Sequence, residues 1–168
     1  MNKLIASVFI SLSVLAAFVD AQDAKRPVNI KLIREYLDKM QMKCVPHPKS
    51  ADTVVVPITD NANAERVDLY VEARSDQTLV LSAYPRLRGK YFSLARATDR
   101  EKLLQKLLET NFRSFATFFV DEQGDIGARF TFTTEDGLGY DSFSVTVSEL
   151  ARIADEYTRT LDDFMKKE

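Results

Sequence analysis

The sequence predicts an α+β domain with the order helix, three strands, helix, two strands, helix, in which an antiparallel five-stranded sheet carries helices packed on it. Three observations lead to that class. Apolar residues recur at steps of three and four in three separate stretches, the mark of one helix face. Runs rich in β-branched residues lie between them, and one alternates strictly between apolar and polar. The links between neighbouring runs are too short to hold a crossover helix, so the strands pair antiparallel.

The chain opens "MNKLIASVFISLSVLAAFVDAQDAKRP", with a basic start at Lys3, an apolar run over residues 4–19 and small residues at Val19 and Ala21. That order is a secretory signal peptide over residues 1–21, cleaved after Ala21. The apolar run has 16 residues, short of the roughly 20 that a spanning helix needs, so no stable membrane insertion is expected after cleavage. An exported protein, periplasmic or secreted, follows. Removing 21 of the 168 residues leaves 147, enough for one domain with a real core. Residues 22–27 read as a polar leader and 28–166 as that domain. The formal net charge of −2 gives no global field favouring nucleic acid. Cys44 is the single cysteine and has no disulfide partner within the chain.

In "VNIKLIREYLDKMQM", Ile30, Ile33, Leu37 and Met40 fall at steps of three, four and three, and Pro46 and Pro48 stop the helix. Three strands follow in "TVVVPIT", "ERVDLYVEAR" and "QTLVLSAY". In the middle one, Val67, Leu69 and Val71 oppose Arg66, Asp68, Tyr70 and Glu72, so one face is buried and the other wetter. Pro57 cannot donate to a ladder, which suits the first of the three to a sheet edge. Residues 85–97 read as an irregular basic connection. Thr98 with Glu101 forms a capping box for a second helix, whose stripe is Leu103, Leu104, Leu107 and Leu108. Residues 114–120 and 126–133 are the last two strands. In the former, Phe115, Thr117 and Phe119 oppose Ala116, Phe118 and Val120, so both faces carry apolar bulk. The final helix begins near Ser142 and repeats Phe143, Val147, Leu150, Ala154, Tyr157, Leu161 and Phe164 at alternating steps of four and three. Such a stripe suits a helix lying on a sheet, the commoner arrangement, and also a coiled-coil dimer seam.

The element order, "LLETNFRSFATFFVDEQGDIGARFTF" and "SELARIADEY" in the final helix together resemble the YbjN domain family, which shares the fold of type III secretion chaperones. The resemblance covers residues 28–164. It implies a chaperone-like fold and a non-enzymatic module, regulatory or chaperone-like, that binds other proteins; the family is often labelled a sensory transduction regulator, which names no chemistry. The departure from that pattern is the signal peptide, since secretion chaperones meet their clients inside the cell.

Four stretches invite a chemical reading. "DEQGD" places Asp121, Gln123 and Asp125 at calcium-loop spacing, but the sixth and twelfth positions are Ile126 and Phe132, where the EF-hand needs Gly and Glu. The stretch is read as a hairpin turn with Gly124 at positive φ. Cys44 and His47 in "CVPHP" make half a zinc site, and the chain has no second cysteine or histidine to complete it. "DGLG" is too short for a phosphate loop. "YPRLRGKYFSLAR" gathers Arg86, Arg88, Lys90 and Arg96 among aromatics, a composition suited to an acidic peptide or single-stranded nucleic acid; for an exported protein of this charge, a protein partner fits better. No catalytic residue, cofactor or metal ligand is therefore expected. The partner is another protein or a second copy, with no nucleic acid, and the candidate contact residues are Val55 on the supposed edge strand, Phe118 on the two-sided strand, and Arg86, Arg88 and Lys90. A small-ligand carrier or an enzyme with a site scattered through the fold is the alternative.

Overall fold

Asn29 starts the first helix: its side-chain oxygen accepts from the N–H groups of Lys31 and Leu32, at 3.0 and 3.1 Å, satisfying two donors that the first turn cannot. The computed structural model describes residues 27–166; the expected signal peptide over residues 1–21 and the leader up to residue 26 lie outside the described residues. Helix α1 spans Ile30–Lys39 and buries Leu32, Ile33, Tyr36 and Leu37, with Ile30 and Met40 at the margin of the core.

Among the described residues the sheet has seven strands: β1 Val45–His47, β2 Ser50–Ile58, β3 Arg66–Ala73, β4 Thr78–Leu87, β5 Lys90–Tyr91, β6 Thr117–Val120 and β7 Ile126–Thr133. Six run in the order β1-β2-β3-β4-β7-β6, all neighbours antiparallel, and β5 pairs with the end of β4. The α+β class and the element order are those expected. The count differs because β1 and β5 are three and two residues long, too short to show a period of two. Residues 85–97 are also more regular than expected. Strand β4 continues to Leu87, and Arg88 and Gly89, both at positive φ (53° and 72°), form a two-residue hairpin turn into β5.

The strand bearing Val55 is not a free edge: β1 covers it, with Val45 opposite Val55 and Pro46 opposite Val54. Prolines 46 and 48 do not stop the first helix as expected: it ends at Lys39, where Gln41 at φ 58° lets the Met42 N–H reach the Leu37 carbonyl at 2.9 Å. Pro46 instead sits within a strand at the sheet margin, where its missing N–H costs no ladder bond on the solvent side. The cover stops short of Pro57, whose described pairing partner is Asp68 on β3.

Helix α2 runs Arg100–Asn111, and its cap is Asp99, whose side chain accepts from the Lys102 N–H at 3.1 Å. The expected cap Thr98 instead ties the C-terminus of the last helix: both its N–H and its hydroxyl donate to the Phe164 carbonyl, at 2.8 and 3.0 Å. Helix α3, Tyr140–Phe164, lies across β3, β4 and β7 and buries Phe143, Val147, Leu150, Ala154 and Leu161 completely, so its stripe faces the sheet rather than a dimer seam. Asp155 on α3 fastens the β2–β3 loop. Its carboxylate accepts from the N–H groups of Ala62, Asn63 and Ala64 at 3.0, 2.9 and 2.6 Å and from the Asn63 amide at 3.1 Å.

Candidate functional site

Among the described residues, helices α1, α2 and α3 pack on one face of the sheet; the other face is where the strand alternation places Tyr70, Tyr84 and Phe119. Across that face runs a row of rings. His47 lies 5.8 Å from Tyr70, Tyr70 5.4 Å from Tyr84, and Tyr84 5.6 Å from Phe119, each pair edge to face. Tyr91 on β5 adds a branch at 5.8 Å from Tyr84. Edge-to-face contacts match the ring quadrupoles and hold the rings in place. At the end of the row the Arg129 guanidinium sits 3.9 Å from the centre of the Phe119 ring, and its Nε donates to the Ser82 hydroxyl at 3.1 Å.

Asp68 anchors the branch. It is fully buried on the same face, where it receives the Tyr91 hydroxyl at 2.5 Å and the Arg66 Nε at 2.5 Å, with Arg86 at 3.7 Å. A carboxylate without exposed surface needs such donors to satisfy its oxygens. Burial pushes the Tyr91 phenol well above the usual tyrosine range, and the bonds to Asp68 and Tyr70 push it further the same way. The Tyr84 phenol is raised by burial and by the neighbouring Asp121 carboxylate. Both rings therefore stay protonated and neutral at physiological pH.

The rings and strands enclose an open cup of about 450 Å³, within the range of ligand-sized clefts. Its walls are Tyr70, Tyr84 and Tyr91, its floor includes Val80 and Ser82, and Glu72, Asp121 and Asp125 stand at its rim. The rim turn is the hairpin that the residue spacing predicts. Asp121 Oδ1 accepts from the N–H groups of Gln123 and Asp125, at 3.0 and 2.8 Å, and Gly124 has φ of 83°. That oxygen is thus spent on the turn. Among the described residues no group of three His, Cys, Asp or Glu side chains is placed to hold a metal ion.

On the opposite side of the molecule, α2 splits its leucines between two faces. Leu103 and Leu107 enter the core, while Leu104, Leu108 and the following Phe112 point outward at steps of four. Leu108 is 70% and Phe112 92% exposed. Phe115 extends this patch and stacks on Phe130 at 4.3 Å. Next to it, Phe118, Ile153 and Tyr157 line a groove between β6 and α3, rimmed by the Glu149–Arg152–Glu156 ion pairs.

The candidates expected from the sequence are dispersed. Val55 is buried between β1 and β3. Phe118 is buried against Tyr157, with ring centres 4.3 Å apart, and so does not present itself to solvent; Phe119 faces the other way. Both of the remaining polar groups of Phe118 are taken by one side chain. The Asn111 amide donates to its carbonyl at 3.0 Å and accepts from its N–H at 2.5 Å, closing the outer side of β6 there. Arg86 lies over the Tyr91 ring at 5.0 Å and donates to the Gly89 carbonyl at 2.6 Å. Arg88 makes a two-pronged pair with Asp162 on α3, at 3.0 and 3.1 Å, and Lys90 stands on β5 opposite Leu87. Cys44 is half-buried, and burial raises its thiol pKa. His47 joins the ring row rather than a ligand set.

The model of the YbjN family, described as "Putative bacterial sensory transduction regulator", matches residues 30–163. No curated protein matches the chain. Among solved structures, YbjN from E. coli, described as "a putative transcription regulator", superposes with a TM-score of 0.56 at 14% identity, covering 84% of this chain and 98% of that one. A chain of the ExsC–ExsE complex superposes with a TM-score of 0.52 at 15% identity, covering 81% of this chain and 97% of that one. At such identities the likeness establishes the fold.

Proposed function

The chain belongs to the YbjN family, and from that premise we propose that it is an exported, non-catalytic module, regulatory or chaperone-like, that binds another polypeptide through the outer face of α2. The carrying observation is the stripe of Leu104, Leu108 and Phe112 with Phe115 beside it. At about 200 Å² for a fully exposed large side chain, these four leave on the order of 500 Å² of apolar surface in water, a patch size that on monomers is often functional. Covering it gains about 25 cal/mol per Å². The adjoining groove lined by Phe118, Ile153 and Tyr157 offers a place for an apolar side chain of the partner, and its charged rim supplies register.

The fold likeness to a chain of a two-protein complex supports a polypeptide as the occupant. Strand addition at the sheet margins is the weaker route, because β1 shields β2 and Asn111 closes β6 at Phe118. Leu108→Lys and Phe112→Lys, at positions whose side chains the core does not use, test the reading once circular dichroism shows native folding. Both should abolish recovery of the partners that the unaltered protein retains, while light scattering after gel filtration shows an unchanged monomer. Partners retained by both variants sink the proposal, and a dimer converted to monomer replaces the client with a second copy.

A further inference from the structure

The cup on the helix-free face is independent of the α2 docking surface and has a chemistry of its own. We propose that it binds an organic cation, taking the alkylammonium head group against the faces of Tyr70, Tyr84 and Tyr91 with Asp121 and Asp125 supplying the opposite charge.

Three features favour a cation over other ligands. First, the ring pairs meet at 80° and 56°, so the tyrosines form the walls of a corner rather than a flat stack. A corner of aromatic walls is the arrangement that surrounds an ammonium group with negative ring faces. Because Tyr84 and Tyr91 are held neutral, they act through their quadrupoles and hydroxyl oxygens. Second, Asp121 and Asp125 line the cup on one turn, while the third carboxylate, Glu72, is paired with Arg74 at 3.0 and 3.2 Å, so the negative charge open to a ligand is that of the turn. The guanidinium of Arg129 lies over the Phe119 ring, with its Nε on the Ser82 hydroxyl, at the Phe119 end of the ring row. Third, the volume of about 450 Å³ holds an ammonium head together with the chain behind it.

The rim is poised for such a ligand. Burial, then the neighbouring Asp121, raises the pKa of Asp125 against the opposing pull of the Arg96 cation. A cation between them relieves that repulsion. Binding should therefore strengthen as pH rises through the carboxylate range and weaken as Asp125 takes up its proton, earlier in acid than an ordinary aspartate. A metal ion fits less well, since Asp121 Oδ1 is occupied by two backbone N–H groups.

Tyr70, Tyr84 and Tyr91 are three of the chain's six tyrosines and it has no tryptophan, so intrinsic fluorescence responds to the cup, and Tyr70→Leu separates that response from the signal of Tyr36, Tyr140 and Tyr157. The full protein is titrated with choline and, in parallel, with 3,3-dimethylbutan-1-ol, which has the same shape without the charge; backbone amide NMR shifts locate the site. Choline should saturate and shift residues of β3, β4 and the Asp121 turn, with the neutral alcohol at least about tenfold weaker. Tyr70→Leu, which keeps bulk and removes the ring, and Asp125→Asn should each weaken choline about fivefold or more. Phe112→Lys should leave choline binding unchanged, separating this site from the docking face. An Nα-acetyl-lysine amide arm distinguishes a protein side chain from a free amine as the source of the head group. Equal binding of the alcohol, indifference to both variants, or no saturation at about 50 mM choline would overturn the proposal. Tyr70 and Asp125 are each partly exposed, and a folded spectrum for either one suffices for the test.

Discussion

Asp155→Ala should cost about 3 to 5 kcal/mol of stability. Asp155 receives four hydrogen bonds from the β2–β3 loop, three of them from consecutive backbone N–H groups. Bonds to an ionised acceptor contribute about 1.5 to 3 kcal/mol each when measured singly, and they do not add. Water can replace the carboxylate at the outer end of the loop, but Ala64 is buried, so its N–H is left without a partner. With about 2 to 4 °C lost per kcal/mol in a domain of this size, the melting temperature should fall by about 10 °C. Asp155→Asn keeps one accepting oxygen and should lose about half as much.

Acid provides the control. Burial alone would raise the Asp155 pKa, but the bonds from Ala64, Asn63 and Ala62 outweigh it and the net shift is downward. A folded-state pKa below the unfolded value of about 3.9 means that the contribution is full above pH 4 and is lost as pH falls through the folded pKa. Urea denaturation followed by circular dichroism at pH 7 and at pH 3 measures both effects. The gap between parent and Asp155→Ala should shrink in acid. A loss under about 1 kcal/mol at pH 7, or a gap indifferent to pH, refutes the reasoning.

Leu161→Ala removes a completely buried side chain from the α3 stripe and should cost about 2 to 5 kcal/mol in the same denaturation; a loss under about 0.5 kcal/mol would show that the stripe is not seated on the sheet. From the order of basic, apolar and small residues over residues 1–21, the mature exported protein should begin at Gln22, which intact mass spectrometry decides; Met1 retained on exported protein would contradict the processing.

Long periodic elements were legible in the sequence. The α3 stripe repeats over six intervals, and one helical face can satisfy it only by lying on something broad. The leucines of α2 misled: 103, 104, 107 and 108 look like one stripe, yet adjacent residues differ by about 100° around a helix, so the core took one of each pair and left the other outside. The cap moved from Thr98 to Asp99 because both residues are good cap formers and the Phe164 carbonyl claimed Thr98. The tyrosine cup was half visible. The wetter face of β3 was readable from Arg66, Asp68, Tyr70 and Glu72. However, His47, Tyr70, Tyr84 and Phe119 lie far apart in the chain and meet only once strand register is fixed. The three-residue β1 that removed Val55 from the margin carries too few residues for any period to show.

The bond pair between Asn111 and Phe118 ties a helix end to a sheet margin, and so joins two fates. Asn111 is the last residue of α2, where fraying begins. Each time that final turn unwinds, the backbone groups of Phe118 in "TFFV" lose their cover, and an uncharged, β-prone tetrapeptide gains a free hydrogen-bonding side. The rate at which this chain nucleates aggregates on warming or in mild denaturant should therefore follow the local opening of one helical turn rather than global unfolding, and a better C-terminal cap on α2 would protect the whole molecule in storage without touching its core.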